Sequence, residues 1–152
     1  MNAIELLKAD HQVVEGLFEE VEDTEAGDHP AIFERIKAEL TVHAHIEESI
    51  FYPALQEDGD EVLVELTSDA LKEHAQTKVF LGELDVVASD IDKFEPLLIK
   101  LIEDVRHHVE EQEGELFPAV EEQFDVEVLE TWGNQMQAEK DRFQESSDSA
   151  YA

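Results

Sequence analysis

The sequence predicts an all-α protein, built as an up-down four-helix bundle with an additional short C-terminal helix. Apolar residues recur at helical spacing through four successive segments, and no useful length of chain shows the alternation typical of β-strands. Each segment carries one histidine on its apolar face, and the second pair of segments repeats the pattern of the first. Two such hairpins pack into a bundle, the interior of which commonly holds metal sites.

The first hairpin is predicted from residues 2–22 and from about 30 to 53. On the first helix, His11 is the only polar member of an apolar stripe. On the second helix, His43 and Glu47 are four residues apart, so both lie on the inward face. Pro53 is expected to kink or end this helix.

The second hairpin is predicted from residues 61–88 and 94–117. His74 is again alone on the apolar stripe of its helix, and His108 and Gln112 lie on the inward face of the next one. Three other residues have tempting positions but fall outside the buried stripes: His45, His107 and Glu111. We expect the His107–Glu111 pair to be a surface feature.

A shorter fifth helix is predicted over residues 126–143. Residues 1–143 are expected to form one domain that includes this helix. Residues 144–152 are small and polar, and we expect them to fray.

The charge of the chain limits its partners. Forty acidic residues against ten basic ones give a net charge of −30, so nucleic acid and anionic membrane surfaces are not expected to bind. The absence of cysteine excludes disulfides and thiolate metal sites. The first residues resemble neither a signal peptide nor a membrane anchor, and a cytoplasmic location is expected by default.

An internal repeat links the two hairpins. When residues 40–55 are placed over residues 105–120, four pairs coincide: His43 with His108, Glu48 with Glu113, Pro53 with Pro118, and Ala54 with Ala119. One histidine on an apolar stripe is usually a hydrogen-bonded core residue. Four inward histidines, one on each helix, together with a carboxylate at matched spacing, instead predict a metal site.

The types of ligand restrict the metal. Imidazole and carboxylate without sulfur suit iron, manganese or zinc, whereas Mg²⁺ and Ca²⁺ prefer oxygen alone. Five or six ligands from four helices are too many for one tetrahedral zinc. They indicate two metal ions, most plausibly iron.

The spacing resembles the hemerythrin-like HHE cation-binding family, with its His, His-x-x-x-Glu pattern repeated across four helices. The resemblance covers nearly the whole chain, including the segments DHQ, IEESIFYPAL and EGELFPAV. It implies a four-helix bundle around a non-haem di-iron centre with a bridging oxo or hydroxo group. The implied ligand positions are His11, His43, Glu47, His74 and His108.

The second glutamate of that pattern falls on Gln112. An amide oxygen can ligate a metal, but it is neutral and is a poorer bridge than a carboxylate. We therefore expect the second metal position to be the weaker one.

Three functions fit this pattern. The first is a di-iron protein that binds or senses dioxygen or a related small oxidant. The second is an enzyme that consumes peroxide or nitric oxide at the same centre. The sequence shows no dedicated proton-transfer residue beside that centre, although Lys78 or Tyr52 could serve. The third is a structural acidic bundle with histidines in its core and other proteins as its partners, although the sequence identifies no such partner.

Overall fold

The computed structural model describes the backbone of residues 1–151 and the side chains of residues 1–146. In this part of the chain there are five helices: α1 (Ala3–Glu22), α2 (residues 29–58), α3 (Glu61–Val87), α4 (residues 91–123) and α5 (Val126–Tyr151). A 3₁₀ turn, Ala26–Asp28, precedes α2, and none of the described residues forms a strand. The prediction of an all-α bundle is confirmed. No described helix combines the length and apolar character needed to cross a membrane.

Side-chain caps fix where two of the helices begin. Asn2 accepts a hydrogen bond from the backbone N–H of Glu5, and the Glu5 carboxylate accepts one from the Asn2 N–H, which closes a capping box. Asp60 caps α3 through the N–H of Leu63. These caps satisfy N–H groups that have no partner inside the helix.

Helices α2 and α4 each contain one widened, π-helical turn. These turns are Glu47–Phe51 and Gln112–Leu116. Each turn is closed by a hydrogen bond over five residues, from the N–H of Tyr52 to the Glu47 carbonyl and from the N–H of Phe117 to the Gln112 carbonyl. Turns of this kind often occur at functional sites.

The widened turns correct the prediction that Pro53 ends its helix, whereas a kink at Pro53 stays a prediction. Proline lacks the N–H that an uninterrupted α-helix needs at that position. Because a π-helical turn comes directly before it, Pro53 falls in the first turn of the next α-helical piece, Tyr52–Asp58. Pro118 has the same place in Phe117–Gln123, so both helices continue past their prolines.

Helix α5 is longer than predicted. It runs from Val126 to Tyr151 and packs against α1 and α2. Pairs one turn apart support its exposed face: Arg142 donates to Glu139, and Gln137 donates to Asp141. The domain limit at residue 143 and the fraying of residues 144–152 stay predictions, and the side chains of residues 147–152 lie outside the described part.

A close approach fixes α5 against the start of the chain. A Cβ atom on Gly133 would collide with the main chain of Met1 and Asn2, so only glycine allows this contact. Leu129, Trp132 and Met136 on α5 enter the apolar core beside Phe51 and Leu7. A second apolar cluster, which includes Phe18, Phe33 and Phe94, fills the other end of the bundle. The inward histidines lie between these two clusters.

Candidate metal centre

The structure brings all six predicted residues into one layer of the bundle. Glu47 is fully buried, Gln112 is 2% exposed, and the side chain of the most accessible histidine, His108, is 12% exposed. Each of α1 and α3 contributes one histidine, whereas each of α2 and α4 contributes a histidine and the residue four positions later: His11, His43 with Glu47, His74, and His108 with Gln112.

The carboxylate of Glu47 lies between two pairs of histidines. The rings of His11 and His43 have centroids 5.0 Å apart, and those of His74 and His108 are 5.2 Å apart. Oε1 of Glu47 is 3.0 Å from Nε2 of His43 and 3.2 Å from Nε2 of His74. Suitable ligand atoms of Glu47, His74 and His108 all lie within 4.8 Å of one another. Glu47 is therefore placed to reach a metal on either side.

Five of the inward polar atoms are buried without a hydrogen-bond partner: Nε2 of His11, His43 and His108, Oε1 of Glu47, and Oε1 of Gln112. Buried polar atoms normally have partners, because an unsatisfied one costs free energy. Neighbouring ligands on one metal, each about 2.1 Å from it, lie about 3 Å apart. The His43–Glu47 separation has this value without hydrogen-bond geometry, so the donor set fits a bound cation.

Each inward histidine is held from behind by a carboxylate on Nδ1. The four contacts are His11 with Glu113 at 2.9 Å, His43 with Asp10 at 3.1 Å, His74 with Glu48 at 3.2 Å, and His108 with Glu73 at 2.8 Å. A carboxylate on Nδ1 fixes the proton there and leaves Nε2 free to ligate, an arrangement common around protein-bound metals. The orientation of all four rings is thus set from outside the centre.

Sequence analysis did not assign these four carboxylates a role. Asp10 and Glu73 directly precede His11 and His74, and Glu48 and Glu113 directly follow Glu47 and Gln112. The sequence therefore shows an acidic residue beside one inward residue of every helix. The role of these acids could not be predicted, because each of their contacts joins two different helices.

The charges of the centre are strongly coupled. Burial lowers the pKa of His43, but the carboxylates of Glu47 and Asp10 outweigh burial and raise it to about 10. Burial raises the pKa of Glu47, yet His43 and His74 hold it well below its usual range. Without metal, His43 and Glu47 therefore form a buried imidazolium–carboxylate pair at neutral pH.

Gln112 faces the centre rather than solvent. Its amide nitrogen donates to Oε2 of Glu47 and, at 2.6 Å, to the hydroxyl of Tyr52. Its Oε1 atom has no partner. Tyr52 is fully buried, and its hydroxyl is 3.3 Å from Nε2 of His74. Ligation by Gln112 stays a prediction, but its placement allows it.

The two off-stripe histidines lie away from the centre. His107 is exposed, and its ring nitrogen is 2.9 Å from Glu111, as expected for a surface pair. His45 stacks on Phe143 of α5 with ring centroids 4.4 Å apart, and it is 2.8 Å from Glu139. Both histidines have local partners that account for them.

A cavity of about 530 Å³ reaches all four inward histidines. It opens between α2 and α3, where Lys78 and Ser49 are exposed. Most of its walls are apolar, from Val14, Leu40, Leu81, Val105 and Val109. A small neutral molecule therefore has a way from solvent to the histidines.

Comparison with known proteins agrees with this arrangement. Residues 2–120 match the sequence model described as the hemerythrin HHE cation binding domain. A crystal structure of a hemerythrin HHE cation binding domain-containing protein from Mycobacterium kansasii has a TM-score of 0.81 and 26% identity, over 96% of this chain and 89% of that one. A DNA nickase from a Nostoc species is 27% identical over an alignment of 151 residues that covers 95% of this chain and 41% of the nickase. The chain thus spans about two fifths of that relative.

Proposed function

Because the chain belongs to the hemerythrin HHE cation-binding domain family, we propose that it is a non-haem di-iron protein that binds or senses dioxygen or a related small oxidant. One observation carries the proposal: four buried histidines converge on Glu47, and each is oriented from behind by its own carboxylate. With one histidine pair on each side of a single carboxylate, the site suits two metal ions better than one.

The residues have separate tasks in this proposal. His11 and His43 would hold one iron, His74 and His108 would hold the other, and Glu47 would be shared between them. Oε1 of Gln112 is available on the second side. When bound, the iron pair supplies reversible electron transfer to a small oxidant. The apolar cavity admits that oxidant, and the net charge of −30 favours a neutral molecule over an anion.

Metal uptake has to displace the proton that His43 holds against Glu47. Since the pKa of His43 is raised to about 10, this proton is present at neutral pH in the metal-free protein. Ligation requires neutral imidazole, so uptake releases protons and metal affinity falls as the pH is lowered.

The enzymatic alternative is consumption of peroxide or nitric oxide at the same centre. Tyr52 favours it, because it places a buried hydroxyl 3.3 Å from Nε2 of His74. Lys78 is less suited to proton transfer, since its amine is held by Glu48 at 2.8 Å and its side chain is 59% exposed.

The structural alternative, an acidic bundle with partner proteins, leaves the centre unexplained. Histidines that serve only the core would be expected to satisfy both ring nitrogens, whereas three of these have a buried Nε2 without a partner. The nickase activity of the Nostoc relative belongs to a longer protein. The match covers 41% of that protein, and the net charge here opposes binding to phosphate.

Anaerobic titration of the metal-free protein with Fe²⁺ tests the proposal. We expect binding of up to two ions per chain and, after oxidation, near-ultraviolet absorption from a bridged ferric pair. His108→Ala should lose metal, whereas its neighbour His107→Ala should keep it. Protein that stays metal-free, or equal loss from the two variants, would contradict the assignment. A stable, reversible spectrum on exposure to oxygen favours binding, and rapid turnover of peroxide favours the enzyme.

A further inference from the structure

The four grooves between neighbouring helices of the bundle differ sharply in chemistry. The groove between α1 and α2 is covered by α5, with Lys140 placed on Asp10. The groove between α2 and α3 opens into the apolar cavity. The groove between α1 and α4 carries three carboxylates, Glu15, Glu110 and Glu113, and the guanidinium of Arg106, which is paired with Glu15 and Glu22. The fourth groove, between α3 and α4, is lined at its rim by carboxylates.

This fourth groove holds a pocket of about 340 Å³, which we call the acidic pocket. Four of its lining residues are acids: Asp69, Glu73, Glu111 and Glu115. Its buried side is formed by Gln112 and His108, which belong to the centre. The Oε1 atom of Gln112 and the Nε2 atom of His108 are both buried without a hydrogen-bond partner. The pocket therefore places four acids beside two residues of the centre that each have a buried atom without a hydrogen-bond partner.

The internal repeat shows that three of the four acids have no acidic counterpart in the first hairpin. In the first hairpin the positions that match Asp69, Glu111 and Glu115 are occupied by Leu6, Ile46 and Ile50. Leu6 and Ile46 lie in the core beneath α5, and Ile50 packs against that core. The second hairpin thus has three carboxylates where the first has three apolar side chains, around the same inward pattern.

We propose that the acidic pocket is the entry site through which a divalent metal cation reaches the centre. A hydrated cation is disfavoured by the apolar cavity and by the covered groove. The groove between α1 and α4 has three carboxylates and shares them with Arg106, whereas the acidic pocket has four carboxylates and no lysine or arginine in its lining. Carboxylates suit a hydrated divalent ion, and a negatively charged cleft raises the local concentration of cations and their rate of association. The inference rests on the proposed function, because it supplies the route by which that centre is filled.

The rate of metal uptake tests this route. The triple variant Asp69→Asn/Glu111→Gln/Glu115→Gln keeps Glu73, which holds His108, and removes three charges from the pocket. The control Glu83→Gln/Asp92→Asn/Glu103→Gln removes the same charge from exposed positions outside the pocket. Metal-free proteins are mixed anaerobically with Fe²⁺, and a chelating dye reports the unbound ion over time.

We expect the pocket variant to take up Fe²⁺ at least about fivefold more slowly than wild type at low ionic strength, with a smaller difference at high salt. The control should stay within about twofold of wild type, and all three proteins should reach the same final stoichiometry. Equal rates in both variants, or a lower final stoichiometry with an unchanged rate, would overturn the entry route while leaving the centre intact. Wild-type protein that binds no Fe²⁺ would overturn the centre and the route together.

Discussion

The two hairpins share the same inward pattern and differ in what surrounds it. In the first, His43 is backed by Asp10, and Asp10 is held at 2.6 Å by Lys140 from α5. In the second, His108 is backed by Glu73, which borders the open acidic pocket. One arrangement of histidine and carboxylate is thus built once under a covering helix and once near solvent. The same inward pattern can therefore be backed by a buried carboxylate or by a partly exposed one: the side chain of Asp10 is 7% exposed and that of Glu73 is 29% exposed.

The inward residues also differ at one matched position. Glu47 of the first hairpin is a buried carboxylate, and its counterpart Gln112 is a neutral amide that donates to it. In the metal-free protein this hydrogen bond satisfies one carboxylate oxygen without a second buried charge. Because residue 112 is an amide, two buried carboxylates do not repel each other, but the centre has one anionic group fewer.

Replacing the shared carboxylate should have the largest effect. Glu47→Gln keeps the shape of the side chain but removes the negative charge between the two histidine pairs. Loss of a group that only supports a ligand weakens metal binding by about 10- to 100-fold, so loss of a bridging ligand should exceed about 100-fold. Competition with a chelator measures this, and Glu34→Gln, an exposed acid on α2, is the control. If Glu47→Gln and Glu34→Gln bound the metal with similar affinity, Glu47 would not be a ligand.

Removing the ion pair between Lys140 of α5 and Asp10 should affect the first hairpin alone. Lys140 is 18% exposed and donates to Asp10, so Lys140→Met leaves a nearly buried carboxylate with His43 as its remaining cationic partner. We expect a loss of about 2 kcal/mol in the free energy of unfolding of the metal-free protein, the usual cost of losing a hydrogen bond to a charged group. Urea denaturation measures it. Lys100→Met, at an exposed site on α4, should change stability by less than about 0.5 kcal/mol.

The sequence predicted the inward pattern because helical periodicity places residues on a face. His11, His43, His74 and His108 could be assigned inward from their neighbours within single helices. Contacts between helices were not accessible in this way. The Asp10–His43 hydrogen bond joins residues 33 positions apart on different helices, and periodicity gives no register between helices.

The errors at the C-terminal ends of α2 and α4 have a local cause. Pro53 is a strong signal for a helix end, but the signal assumes α-helical hydrogen bonding before the proline. That assumption does not hold at the π-helical turns Glu47–Phe51 and Gln112–Leu116, because their hydrogen bonds span five residues. Neither turn has a composition that distinguishes it from α-helix. Each turn begins at the second member of an inward pair, Glu47 or Gln112, and this position could be seen only in the structure.

Restoring symmetry at the matched position should have a moderate effect. Gln112→Glu places a second carboxylate against Glu47, so the metal-free protein should lose stability through repulsion between buried charges. With metal present, the added charge should raise the metal content towards two per chain and tighten the weaker site by about tenfold. Titration with Fe²⁺ at one pH compares the two proteins. Identical stoichiometry, affinity and spectrum would show that residue 112 does not contact the metals.

The smallest effect is expected at the aromatic position that follows each widened turn. Tyr52 in the first hairpin matches Phe117 in the second, and both rings are fully buried. The Tyr52 hydroxyl accepts from Gln112 at 2.6 Å, so Tyr52→Phe removes a partner that fixes the amide while Glu47 still accepts from it. Since one hydrogen bond contributes about 1 kcal/mol, urea denaturation of metal-free Tyr52→Phe should show a loss of about that size. Phe117→Tyr should also destabilise, because it buries a hydroxyl among apolar neighbours such as Phe51. If Tyr52→Phe were as stable as wild type while Phe117→Tyr was not, the Gln112–Tyr52 hydrogen bond would contribute nothing, and the amide would be oriented by Glu47 alone.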